Sequence, residues 1–200
     1  MKTRYRCPDD ALKAALAHAP PAGGTSSGEA SAQVGFIRRR LEQLPPEQQA
    51  LLTVAFAPRN ISCPCRRPCC SGHYPNPEWA RALEAVVAHT APLLSGHRPD
   101  IRLRTAIVDN LLTRTAETQT DLAQRCGVNR QTVAEHTAIL ATALMGTRHQ
   151  GGAFDHALAR IDVSLRETGI VGDPVTGPVA DTATDAPATE VVEAAEAHTA

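Results

Sequence analysis

The sequence predicts an all-α fold, a multi-helix bundle, and three observations carry that reading. Hydrophobic residues make up 42% of the 200-residue chain but aromatics only 3%, so the core must be built mainly from Ala, Leu, Val and Ile. Ala and Leu favour helices. Apolar residues recur at three- and four-residue steps in several segments, the period of one helix face. Prolines, glycines and capping residues stand between those segments, where helices start and stop. A chain of this length suits one ordinary domain plus tails.

Residues 1–30 read as a head and flexible linker. A short helix over 9–18 is halted by Pro20 and Pro21, and "PPAGGTSSGEA" follows without apolar period. Residues 31–149 read as the helical domain. Ser31 is placed to cap a helix reaching about Leu44, with Val34, Ile37, Leu41 and Leu44 on one face and Arg38, Arg39 and Arg40 mostly off it. Pro45 and Pro46 break it, and Pro46 suits the first turn of a helix reaching Phe56, whose Leu51, Leu52 and Val54 make it central. In "NPEW", Asn76 is the cap, Pro77 the first helical residue, and Glu78 favours the positive helix end. Trp79, Leu83, Val86 and Val87 then face the core, and the helix runs to about Leu94 before "SGHRP". Another helix starts near Pro99 or Asp100 and ends at Leu112 or Thr113. Gly151 and Gly152 form a hinge. Residues 150–170 form an amphipathic helix with Phe154, Leu158, Ile161 and Leu165 on one face, ended by Gly169. That face packs on the same chain or forms a homodimer interface. Residues 171–200 read as a disordered acidic tail.

No apolar run approaches the about 18 residues of a membrane span. The N-terminal apolar stretch is too short and broken for a signal peptide, so a cytoplasmic protein with no membrane association is expected. Residues 31–149 hold 14 arginines against 9 acids, and residues 150–200 hold 2 arginines against 9 acids. A basic middle suits a phosphate-bearing partner and an acidic end suits a solvated tail, although a plain solvated surface gives the same balance.

Within a Cys-rich loop at 61–75, "CPCRRPCCSGH" gathers Cys63, Cys65, Cys69, Cys70 and His73. In the cytoplasm, clustered cysteines are more often metal ligands than disulfides. Zinc takes four thiolate or imidazole ligands in a tetrahedron, so five candidates leave one spare. The spacing departs from the common Cys-x-x-Cys pair. Pro64 and Pro68 stiffen the loop and Gly72 permits a bend. Arg66 and Arg67 favour thiolates, which suits a metal site and equally a reactive thiol. The loop has almost no apolar side chains to bury, so a structural zinc ion is expected to supply its folding energy as a staple between two halves of the domain. Arg66 and Arg67, fixed there, are placed to hold phosphate or an acidic protein surface.

"TQTDLAQRCGVNRQTVAEHTAIL" has a spacing with mechanical meaning. Thr118 caps a short helix and Asp121 nearly completes a capping box. Leu122 and Ala123 point inward, Gly127 permits a tight turn, Val128 fills the corner, Asn129 caps a second helix, and Val133 packs back on the first. Cys126 reads as a small buried residue, not a ligand. This stretch, about a tenth of the chain, resembles the helix-turn-helix family of DNA-binding proteins. The resemblance implies that the second helix, from Arg130 to about Leu144, enters the major groove with Arg130, Gln131 and Thr132 near base edges and phosphates. It makes Glu135 an acceptor for cytosine and His136 a contact to phosphate or base, with Asn129 and Arg125 completing the candidate DNA-binding set. "LEQLPPEQQALLTVAFA" resembles the helix that opens region 4 of bacterial sigma factors, and the arrangement resembles phage late-gene regulators, including Q-type antiterminators. Those resemblances imply contact with RNA polymerase.

The expected function is therefore sequence-specific regulation of transcription through double-stranded DNA, with structural zinc. The alternatives are a protein-interaction module docking on RNA polymerase and a thiol redox sensor. An enzyme is not expected: no triad, phosphate loop or HExxH pattern occurs, and Asp155 and His156, adjacent on a helix, do not face each other.

Overall fold

A computed structural model describes residues 5–17, 28–63, 65, 71–97 and 100–172, and its regular structure is almost all α-helix. α1 (Pro8–Ala17) carries Asp9 and Asp10 in its first turn, where the helix end favours negative charge. It buries Ala11, Leu12, Ala15 and Leu16 against α2 (Gly28–Glu42), α3 (Pro46–Phe56) and α8 (Ala153–Glu167). The head assigned to 1–30 thus contributes a core helix. Because α2 starts at Gly28, Ser31 lies inside that helix and does not cap it. Arg38 reaches from α2 to two neighbours: its Nε donates to the Ala15 carbonyl at 3.0 Å, and its Nη1 pairs with Glu78 at 3.2 Å.

α3 is central, as its apolar run predicts. Leu51, Leu52 and Val54 are buried, and the helix packs on α4 (Pro77–His89), α5 (Ile101–Thr113) and α8. Between α3 and α4 the chain forms an antiparallel hairpin that the sequence reading does not contain. β1 (Asn60–Ser62) pairs with β2 (His73–Pro75) in the register Asn60↔Pro75, Ile61↔Tyr74, Ser62↔His73. Asn76 joins the hairpin to α4. Its Oδ1 accepts from the Glu78 N–H at 3.0 Å as the expected cap, and its Nδ2 donates to the Pro58 carbonyl at 2.8 Å.

α4 ends at His89, short of the expected Leu94. There the Thr90 hydroxyl donates to the Val86 and Val87 carbonyls, and Ala91–Leu94 continues as a 3-10 turn containing Pro92. α5 starts on Asp100, whose carboxylate accepts from the Arg102 N–H at 2.7 Å.

α8 buries Phe154, Ala157, Ile161 and Leu165 against α1, α2, α3 and α7 (Arg130–Met145) of the same chain. Its apolar face thus packs on the same chain, the first of the two expected alternatives. Past Gly169 (φ +68°) the Ile170 N–H returns to the Leu165 carbonyl at 3.1 Å, and Ile170 and Val171 are buried. Val171 forms a parallel bridge with Tyr5, so residue 171 belongs to the fold and not to a tail. Of the expected linker at 20–30, residues 28–30 open α2 instead and the rest lies outside the described residues, as do residues 173–200 of the expected tail. Among the described residues, no helix is long and apolar enough to cross a membrane.

Candidate functional site

α6 (Gln119–Cys126) and α7 are set by local chemistry at every junction. The α5–α6 loop holds Arg114 (φ 53°) and Ala116 (φ 57°) in the left-handed region, at a cost of about 1–2 kcal/mol each. Asn110 clamps this loop: its Nδ2 donates to the Glu117 carbonyl at 2.9 Å, and its Oδ1 accepts from the Glu117 N–H at 3.0 Å and the Thr115 hydroxyl at 2.9 Å. Thr118 and Asp121 form a complete capping box, with Asp in the place usually taken by Glu or Gln. α6 buries Leu122 and Ala123 and stops at Gly127, whose φ of +66° is the left-handed conformation the tight turn requires. Val128 is half-buried against the core. Asn129 accepts from the Gln131 N–H at 2.8 Å and starts α7, which buries Val133, His136, Leu140 and Leu144.

This arrangement divides the candidate DNA-binding residues. Arg130, Gln131 and Glu135 are exposed along the first turns of α7, and Gln131 donates to Glu135 at 3.2 Å. Thr132 is half-buried beside them. The Asn129 side chain is engaged as the cap. Arg125 is exposed on the neighbouring helix and pairs with Glu117 at 2.7 Å. His136 does not join the exposed set: it is 1% exposed, which corrects its assignment as a phosphate or base contact. The His97 ring lies against it edge-on, with centroids 5.0 Å apart, and neither His136 nitrogen has a hydrogen-bond partner among the described residues. Burial first, and then His97, hold the His136 imidazole below its ordinary pKa, while Glu135 acts the other way.

The far end of α7 is fixed by backbone contact. Gly146 and Gly151 bridge around the turn from Thr147 to Gln150. A Cβ on Gly152 would stand 2.3 Å from the Gly146 nitrogen and 2.4 Å from the Leu144 oxygen, so only glycine fits. The two glycines read as a hinge thus form a close-packed junction between α7 and α8.

For the cysteine loop, the hairpin register supplies the geometry. The Cys63 N–H donates to the Gly72 carbonyl at 2.8 Å, so the two strands continue in pairing one step beyond Ser62 and His73. Side chains alternate between the faces of a strand. The register therefore places His73 on the face of Ser62, and Cys63 on the other face with Ile61 and Tyr74. Cys69 and Cys70, together with Arg66 and Arg67, lie outside the described residues. Among the described residues, no three His, Cys, Asp or Glu side chains are grouped as metal ligands.

A groove absent from the sequence reading lies between α4 and α5, with a volume of about 630 Å³. Trp79, Leu83, Val87 and Ile101 give it an apolar lining, and Arg102, Arg104 and Arg125 also line it. Trp79 is anchored by its indole N–H to the Val54 carbonyl at 3.1 Å, and the Arg59 guanidinium lies 5.3 Å from its ring centroid. Arg59 also pairs with Asp109 at 2.6 Å. Burial pushes the Asp109 carboxyl above its ordinary range, against the pull of Arg59 and the Thr113 hydrogen bond. The available signal in the sequence is Ile101, an apolar residue one step past a cap, which is 63% exposed.

No family model, curated protein or solved structure matches this chain.

Proposed function

We propose that the protein is a sequence-specific, DNA-binding regulator of transcription that reads duplex DNA with the start of α7. One observation carries this reading. The capping box at Thr118, the left-handed Gly127 and the Asn129 cap join two helices by a tight turn and leave Arg130 and Gln131 exposed at the N-terminal end of the second. Such an end approaches base edges when it lies in a major groove. Arg130 supplies paired donors for guanine, and Gln131 pairs with adenine once released from Glu135. Arg125 reaches phosphate by exchanging its Glu117 partner, an exchange between two exposed ion pairs of small net energy. Exposure of Arg130 and Gln131 also weighs against the alternative of a module that docks on RNA polymerase and uses this helix pair for packing.

Zinc in the cysteine loop belongs to the same proposal as a structural staple, held by four of Cys63, Cys65, Cys69, Cys70 and His73. When bound, the metal supplies folding energy to the loop. The hairpin holds the loop's two ends, and Asn76 fixes the hairpin to α4.

The test is selection of binding sites from a pool of random duplexes, followed by anisotropy titration of the enriched site. An enriched motif is expected. Arg130→Ala should weaken binding to it by about 1–3 kcal/mol and relax preference at one base position. Binding that enriches no motif and disappears with added salt would reflect phosphate attraction alone and would refute base reading.

A further inference from the structure

We propose that the groove between α4 and α5 is the docking site of the chain's own acidic C-terminal segment, residues 173–200. The groove pairs an apolar lining with two arginines, Arg102 and Arg104, that have no carboxylate partner among the described residues. Trp79, Leu83, Val87 and Ile101 present carbon surface, and Ile101 is largely exposed. Arg102 and Arg104 make no ion pair among the described residues, and the buried Nε of Arg104 has no hydrogen-bond partner among them. Of the groove's two acids, Asp109 is engaged by Arg59, which leaves Glu84. A matching occupant brings carboxylates and small apolar side chains.

Residues 173–200 have that composition. They carry Asp173, Asp181, Asp185, Glu190, Glu193 and Glu196, no lysine or arginine, and the apolar Val175, Val179, Val191 and Val192. Reach is no obstacle. A segment of this length extends to about 90 Å, against a radius of gyration of about 15 Å for a body of this size. Tethering places the segment at roughly millimolar effective concentration, so an affinity too weak to see between separate molecules suffices within one chain. Because Arg125 lines the same groove, the docked segment covers a candidate DNA contact, but docking does not depend on the DNA-binding reading.

Trp79 is the chain's only tryptophan, so its fluorescence reports the groove without a label. The experiment uses full-length chains and acrylamide, a neutral quencher. In the wild type, Trp79 is expected to be protected, and 1 M salt should remove the protection by screening. Neutralising the segment (Asp173→Asn, Asp181→Asn, Asp185→Asn, Glu190→Gln, Glu193→Gln, Glu196→Gln) should remove it as well. So should Arg102→Gln with Arg104→Gln, and combining the two sets should add nothing, because both break one contact. Equal quenching in all the chains, or independent additive effects of the two sets, would overturn the proposal.

Discussion

Asn76→Ala tests how the cysteine hairpin is fastened to the helical body. Asn76 is 2% exposed, and its amide does two jobs that Ala abolishes. Loss of the cap to the Glu78 N–H removes about 1 kcal/mol. Loss of the Nδ2 donor leaves the half-buried Pro58 carbonyl without its side-chain partner, which costs about 1–3 kcal/mol. The total of about 2–4 kcal/mol is a large fraction of the roughly 5–15 kcal/mol stability of a domain. At about 2–4 °C per kcal/mol for a chain of this size, the melting temperature should fall by roughly 5–15 °C. The assay is thermal unfolding followed by helical circular dichroism and, separately, by emission of Trp79, which lies three residues along the same helix. Asn76→Asp separates the two jobs. It keeps the acceptor that caps α4 but sets a carboxylate against the Pro58 carbonyl, so at neutral pH it should be destabilised about as much as Ala. It should recover partly when acid restores a donor. A melting temperature for Asn76→Ala within about 1 °C of wild type, under roughly 0.5 kcal/mol, would refute the reasoning.

Gly152→Ala should destabilise by at least about 1–3 kcal/mol, because the added Cβ meets backbone on the facing turn and cannot be relieved by a side-chain rotation; urea denaturation measures this. His136, held below its ordinary pKa by burial, binds fewer protons folded than unfolded. Its contribution to stability is therefore complete above the unfolded value of about 6.5 and is lost as pH falls through it. His136→Leu should flatten the urea midpoint between about pH 8 and pH 5, and an unchanged slope would exclude His136 as its source. In the cysteine loop, native mass spectrometry should find one zinc ion in the wild type and none when Cys63→Ser and Cys65→Ser are combined, because three of the five candidates then remain for four places; a folded wild type without metal would refute the staple.

The helix order and most helix starts were legible because their signals are local. Pro46, Asn76 with Pro77, Asp100, Thr118 with Asp121, and Asn129 each act within one turn of their own position, and each lies at the start of an observed helix. What was not legible depended on distant partners. The strands "NIS" and "HYP" are too short to show alternation, and their pairing is set by the hairpin closing across the cysteine loop. α1 looks like an isolated amphipathic segment until α2, α3 and α8 are in place to receive it. His136 was misplaced although its signal was present. It stands at three- and four-residue steps between Val133 and Leu140, on the apolar stripe of α7, and its polar character outweighed its period.

The pairing of Tyr5 with Val171 has a consequence for how the chain reaches its fold. α1 and α8 share one core, so α1 has no complete seat until α8 has left the ribosome. Contacts between segments so far apart in sequence carry a loop-closure cost and slow the final step. Until then the apolar faces of α1, α2 and α3 that await α8 stay uncovered, the condition in which nascent chains aggregate. A chain stopped just before Ala153 would therefore lose more than α8 itself: it would leave the N-terminal half without the surface that completes its core.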